Sequence, residues 1–209
     1  MVQSRKRRLE LLVAHQKQLL ECRRCPDMIP PVVSCGPVLG EVMLLGQAPG
    51  SREGKLGRPF AWTAGRTMFG WFEGLGIDEK RFRKRVYMAA VCRCFPGSLP
   101  GGGDRVPNRR EIEACEDWMQ RDFELLRPKL VIAVGRLSIS RFLSFKRLTE
   151  VVGEKHRAER FGQRFDLVPL PHPSGASTWH RTEPGRGLLQ RALTELARHP
   201  SFRRVVGGP

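Results

Sequence analysis

Apolar residues gather in four short continuous runs along the chain. They occupy residues 41–46 (EVMLLG), 85–91 (RVYMAAV), 129–135 (KLVIAVG) and 165–170 (FDLVPL). Short, mainly apolar runs of this length, rich in Val, Ile and Leu, are the pattern of strands covered on both faces. Between them the apolar positions change to helical spacing. Residues 4–21 place Leu9, Leu12, Leu19 and Leu20 roughly on one side with basic residues opposite, and residues 64–75 follow a Gly- and Pro-rich loop. A third helix opens at Pro107-Asn108, where Asn108 and Glu111 have the spacing of a capping box. Further helices are predicted from Gly135 to about Leu143 and over residues 186–198. Strands alternating with helices predict a three-layer α/β/α domain around a central, mainly parallel four-stranded sheet. One domain spans residues 1–209, residues 1–25 being a helix that leads into the first cysteines, and the tail over residues 199–209 is expected to fray. In such folds function sits in loops beyond the carboxyl ends of strands, which directs attention to the segments after Gly46, Val91 and Leu170.

Charge narrows the partner. Thirty-seven Lys and Arg against twenty-one Asp and Glu leave a net charge of +16 on 209 residues. Basic residues recur at 5–8, 81–85, 105–110, 155–164 and 203–204. So basic a domain attracts a polyanion, nucleic acid above all. The N-terminus has no apolar core of a secretion signal, and no stretch of about 20 apolar residues could span a bilayer. A cytoplasmic protein without membrane contact is expected.

In a reducing compartment, six cysteines point to metal or a cluster rather than to disulfides. Cys22 and Cys25 form a Cys-x-x-Cys pair, and Cys94 and Cys115 are distant single partners. Cys92 competes with Cys94, two residues apart on one strand face. Cys35 has the character of a small buried hydrophobe. On spacing alone an iron–sulfur cluster, zinc and no metal at all remain open. A pair with single distant partners departs from the two-pair zinc pattern and suits a cluster that fastens the N-terminal helix to the domain.

Several segments together resemble the iron–sulfur (family 4) uracil-DNA glycosylases. Residues 46–50 (GQAPG), Glu53, residues 57–60 (GRPF) and Ala64-Gly65 resemble their first motif. Val86-Tyr87 leading to Cys94, the segment from Pro107 through Cys115, residues 127–135, and His172-Pro173-Ser174 follow in the family's order. The resemblance implies a [4Fe–4S] cluster on Cys22, Cys25, Cys94 and Cys115, with Cys94 favoured over Cys92 by register. It also implies a monomer that excises a deaminated base from DNA.

By that resemblance Phe60 stacks on the extruded base, and His172 donates a hydrogen bond as charge develops on it. Glu53 serves the water or the sugar cation. Gln47, Ala48 and Gly50 bring loop groups to the base, and Ala90 and Ser174 border it. The segment 174–178 is the expected wedge, with Trp179 as an alternative. Gln47, Gly54 and Ala90 depart from the residues common in the family (Glu, Asp and Asn respectively), and Trp62 reshapes the segment after Phe60. Ala90 removes an amide that reads the uracil edge, so hypoxanthine or xanthine joins uracil as a candidate lesion. Two other readings fit the same residues: a protein that binds or covalently traps damaged DNA without turnover, and a zinc-bearing nucleic-acid module.

Overall fold

In a computed structural model, residues 4–207 are described. The strands are β1 (Val42–Gly46), β2 (Tyr87–Ala90), β3 (Leu130–Val134), β4 (His156–Arg160) and β5 (Gln163–Leu170), and they form one sheet in the order β2-β1-β3-β5-β4. Four are parallel, and β4 lies antiparallel on β5 at the edge. Every residue of β1, β2 and β3 is buried, as strands covered on both faces must be. The four expected strands are present, and the sheet has a fifth. β4 buries only Ala158 of its five residues, so an exposed edge strand gives no hydrophobic run to find.

The helices are α1 (Arg5–Leu20), α2 (Glu53–Leu56), α3 (Thr63–Glu73), α4 (Glu79–Arg85), α5 (Arg109–Leu126), α6 (Arg136–Ser140), α7 (Gly185–Arg198) and α8 (Pro200–Gly207). At the start of α5 the Asn108 side chain accepts from the Glu111 N–H at 3.0 Å, and the Glu111 carboxylate accepts from the Asn108 N–H at 2.8 Å. The capping box forms with both of its hydrogen bonds. Two aromatic groups fill much of the core. Phe72 stacks on Phe82 with ring centres 4.5 Å apart, and Phe123 meets Phe142, Phe161 and Phe165.

Two expectations about the ends of the chain are corrected. The segment after His199 is helical and packed: α8 buries Ser201, Phe202 and Val205, and Phe202 reaches Phe72. His199 anchors the junction, its Nε2 3.0 Å from Asp166 and its Nδ1 accepting from the Ser201 N–H. Residues 208–209 lie outside the described residues. At the other end α1 buries Leu12, His15, Gln16 and Leu19 and leaves Leu9 and Leu20 exposed. Two polar residues displace two leucines because a buried polar network claims them. Asp122 is fully buried among His15, Tyr87 and Arg93, and Gln16 donates to the Gly36 carbonyl at 2.6 Å. This network ties α1 and α5 to the start of β2 and to the segment after it, since a buried carboxylate is tolerated only with such partners.

Candidate active site

The ends of β1, β2 and β5 and the loops after β1 and β5 enclose a cleft at one end of the sheet. Gln47, Ala48, Gly50, Glu53, Phe60, Ala90, His172 and Ser174 all border it, in a cavity of about 150 Å³. Residues from three separate strand ends and two following loops thus share one wall.

The loop after β1 keeps to the sheet by two further backbone bonds, from the Val91 N–H to the Gly46 carbonyl and from the Cys92 N–H to the Gln47 carbonyl. Ala90 is opposite Gly46 in register and forms the floor. Gly46 is needed there: a Cβ would stand 2.8 Å from Cζ of Phe60. The ring therefore rests directly on strand backbone. Phe60 itself has φ of 52°, a left-handed conformation that costs a non-glycine residue about 1 kcal/mol or more. Arg83 holds it, donating to the Pro59 carbonyl at 2.8 Å and the Phe60 carbonyl at 2.9 Å while pairing with Glu79. Gly65 completes the seat, since any side chain there would overlap the Phe60 carbonyl.

Glu53 is buried at the start of α2. Its carboxylate accepts from the N–H groups of Gly50 (3.3 Å) and Ala61 (3.2 Å). Burial nevertheless pushes its carboxyl up to about 7, against the opposing pull of those N–H groups and Arg83. Gly54, the next residue, packs on Pro31, with a built Cβ 3.0 Å from the ring. A side chain there requires the Pro31 ring to give by a few tenths of an ångström.

His172 follows β5, and its ring lies against Gly135, whose φ is +86°. The Ser174 N–H points to Nδ1 at 3.3 Å, which assigns the ring proton to Nε2. Burial, and then the neighbouring His180, lower its pKa, so the ring is neutral at pH 7 with one N–H to donate. The turn 174–178 closes with the Ser177 N–H on the Ser174 carbonyl, 3.0 Å away. Trp179 is no wedge: it packs on the core, and Gly185 exists to admit its backbone and ring. The exposed tryptophan beside the cleft is Trp62, with the Arg52 guanidinium 5.6 Å from its ring centre.

Cys22, Cys25, Cys94 and Cys115 border a second cavity of about 230 Å³. Cys115 is within hydrogen-bonding reach of both Cys25 and Cys92. Cys92 is fully buried and lies outside the cavity lining, whereas Cys94 is part of it. Cys35 is half-buried, and its sulfur accepts from the Met88 N–H. Among the described residues no three His, Cys, Asp or Glu side chains converge as the grip of a single metal ion. The cavity lining holds Arg23, Arg24 and Arg93, otherwise apolar groups, and no carboxylate. The two cavities adjoin through residues 29–33, which pair with 93–95 by bonds from the Val33 N–H to the Arg93 carbonyl and between Ile29 and Phe95.

Two residues of this region escape sequence reasoning. Arg83 lies in the basic run 81–85, where nothing marks one side chain as turned inward. Asp104 borders the cleft from the loop before α5, and its approach to Gly50 is made through space. Nor do all basic residues face the cleft. Arg5, Arg8, Lys84, Arg127 and Lys129 line a broad groove at the amino ends of the strands. No described helix is long and apolar enough to cross a membrane.

Comparison with known proteins places this geometry. Residues 34–197 match the model of the uracil DNA glycosylase superfamily. The chain is 27% identical over 167 residues to a type-4 uracil-DNA glycosylase of Archaeoglobus fulgidus, covering 76% of this chain and 79% of that protein. It is 30% identical over 157 residues to the type-4 enzyme of Pyrobaculum aerophilum, covering 73% and 74%. A type-5 uracil-DNA glycosylase of the same organism is 23% identical over 216 residues, covering 85% and 90%. With a family match across most of its length, on a parallel sheet whose strand ends bear the cleft, the chain belongs to the uracil DNA glycosylase superfamily.

Proposed function

We propose that this protein is a uracil-DNA glycosylase of DNA repair, a hydrolase of N-glycosyl bonds that removes a deaminated base and leaves an abasic site. The observation that carries this reading is the convergence of Phe60, Glu53 and His172 on one cleft. A base within a duplex is out of reach, so the nucleotide must turn out into the cleft. There the Phe60 ring, fixed by Gly46 and Arg83, offers a flat face for stacking. As the bond to the sugar breaks, negative charge grows on the base and positive charge on the sugar. The Nε2–H of neutral His172 donates to the base oxygen, and the ionised Glu53 carboxylate, buried in low dielectric, steadies the sugar cation. Gln47, Ala48 and Gly50 bring loop groups to the base, Ser174 fixes the His172 tautomer, and the turn 174–178 fills the space vacated in the duplex.

Ala90 at the floor has no amide to select uracil. Base choice is therefore broader, with hypoxanthine and xanthine accepted beside uracil. Cys22, Cys25, Cys94 and Cys115 fit a [4Fe–4S] cluster: all four border one cavity, whose other lining residues are apolar apart from Arg23 and the carboxylate-paired Arg24 and Arg93. Such a cluster would supply structure, cross-linking residues 22–25 to the segment after β2 and to α5. The protein acts as a single domain and a monomer, in the cytoplasm, on DNA.

Single-turnover assays on matched duplexes containing uracil, hypoxanthine or xanthine test this reading. Free base and an abasic strand are expected from the wild type, with large losses in Glu53→Gln and His172→Ala. Tight binding without release of any base supports the non-catalytic alternative, and a protein–DNA adduct on a denaturing gel supports trapping. A zinc-bearing module of another class is at odds with the family match.

A further inference from the structure

Two carboxyl groups border the cleft, and they are in different situations. Glu53 is sequestered, its oxygens taken up by backbone N–H groups of Gly50, Ala61 and Phe60. Its position fixes the two loops that carry Gly50 and Phe60, and these bonds occupy most of its acceptor sites. Asp104 makes no hydrogen bond or ion pair through its side chain to any described residue. That is unusual in a chain with 37 cationic side chains, where most carboxylates find a partner.

Its placement is specific. Asp104 is held by pairing of its backbone with Ser98 and by the bond from the Arg105 N–H to the Gly97 carbonyl. Oδ2 approaches Gly50 so closely that a Cβ built there would stand 3.3 Å away. Gly50 thus separates the two acids, with Glu53 at its N–H and Asp104 beside its Cα. The cleft partly desolvates Asp104 and raises its pKa, an effect that makes a carboxylate a better base. An unpaired negative charge at the mouth of a DNA-binding cleft opposes the approach of phosphate. Such a group has a physical reason to be there if it handles a proton or a cation.

On the glycosylase reading given above, we infer that Asp104 is the catalytic base that orients and deprotonates the attacking water. The C1′–N bond breaks and its electron pair leaves with the base, received by the hydrogen bond from His172. The water oxygen forms the new bond to C1′. Its proton passes to a free oxygen of Asp104 and then to solvent, and solvent protonates the departed base. Glu53 supplies charge and holds the loops, while Asp104 supplies the lone pair.

The test separates chemistry from binding. Single-turnover base release is measured for wild type and Asp104→Asn on the lesion duplex from which the wild type releases base. Affinity is measured in parallel on the same duplex carrying a 2′-fluorinated, uncleavable nucleotide. General-base catalysis contributes typically about 10²–10⁴-fold, so the Asp104→Asn rate constant should fall by ~10²-fold or more. The Kd should stay equal or tighten, because a charge repelling phosphate is gone, and thermal unfolding should not change, since the side chain has no partner to lose. A rate within about threefold of wild type overturns the proposal, as does a rate loss matched by an equal loss of affinity. Wild-type protein that releases no base from any lesion overturns the glycosylase reading itself, and this inference with it. The two failures are distinguished by which protein is silent.

Discussion

Glu53 offers a quantitative test, because its burial has opposite effects on folding and on catalysis. Its carboxyl is moved from 4.5 to about 7, so the native state holds a proton there that the unfolded chain releases. Below pH 4.5 both states are protonated and the group is neutral toward stability. Between 4.5 and about 7 the unfolded state alone ionises, and stability falls as pH rises, by at most about 1.4 kcal/mol per pH unit and about 3 kcal/mol in total. Above the native pKa the loss is complete and constant. Glu53→Gln removes this titration. Relative to wild type the variant should therefore gain about 2–3 kcal/mol between pH 5 and pH 8, or several degrees in Tm for a chain of this size, whatever fixed cost the amide incurs by presenting an N–H to the Gly50 or Ala61 N–H. Catalysis moves the other way. If the charged form steadies the sugar cation, only about a tenth of the protein is competent at pH 6 and about nine-tenths at pH 8. The single-turnover rate should rise about tenfold across that interval in wild type and stay flat in Glu53→Gln. His172 does not mimic this limb, because burial moves its titration below the ordinary histidine range. A wild-type rate already flat from pH 5.5 upward, together with unchanged relative stability, would refute the assignment of a buried, late-ionising carboxyl.

Three other perturbations examine the supports of the site. Gly46→Ala must drive the Phe60 ring back by roughly half an ångström or more to reach ordinary contact, and misplacement on that scale costs up to ~10²-fold in rate; single-turnover rates should fall by ~10-fold or more while binding of undamaged duplex, checked by fluorescence anisotropy, stays the same. Arg83→Gln removes a charged, forked donor from the Pro59 and Phe60 carbonyls at roughly 1.5–3 kcal/mol per bond; denaturant unfolding should register about 2–4 kcal/mol lost and excision should weaken, with Arg83→Lys recovering only part because one ammonium does not reproduce the fork. Cys94→Ser should abolish the broad visible absorption of anaerobically purified protein, and Cys92→Ser should retain it; the reverse pattern would move the third ligand to Cys92.

The parts of this molecule legible in its sequence share a property: their physics is local in the chain. Strands buried on both faces are mostly apolar, so β1, β2 and β3 announce themselves, and β5 does so despite Asp166. The capping box at Asn108 and Glu111 is a matter of three residues. Glycine-rich strand ends mark the cleft loops because few side chains tolerate such turns. What the sequence conceals is decided by partners distant along the chain. β4 is polar because an edge strand needs only Ala158 inside. His15 and Gln16 are interior, ahead of Leu9 and Leu20, because Asp122 lies 107 residues from His15 and needs donors. Among the basic residues 81–85, only the three-dimensional position of the Phe60 carbonyl singles out Arg83.

The departures at Gly54 and Ala90 show how differently such positions are explained. Gly54 is under a steric constraint: a Cβ there would stand 3.0 Å from Pro31, so a side chain at that position presses on the proline ring. Ala90 has no such account. It is on the floor, opposite Gly46, with Phe60 packed on that same glycine, and its methyl leaves room without supplying a hydrogen-bonding group. A packing constraint fixes one residue whatever the substrate, whereas a missing polar group at the floor changes which base edge is favoured. Restoring an amide by Ala90→Asn should therefore sharpen selection for uracil over hypoxanthine and xanthine. An insertion at position 54 should disturb the seat of Pro31 and leave the order of preference among bases unaltered.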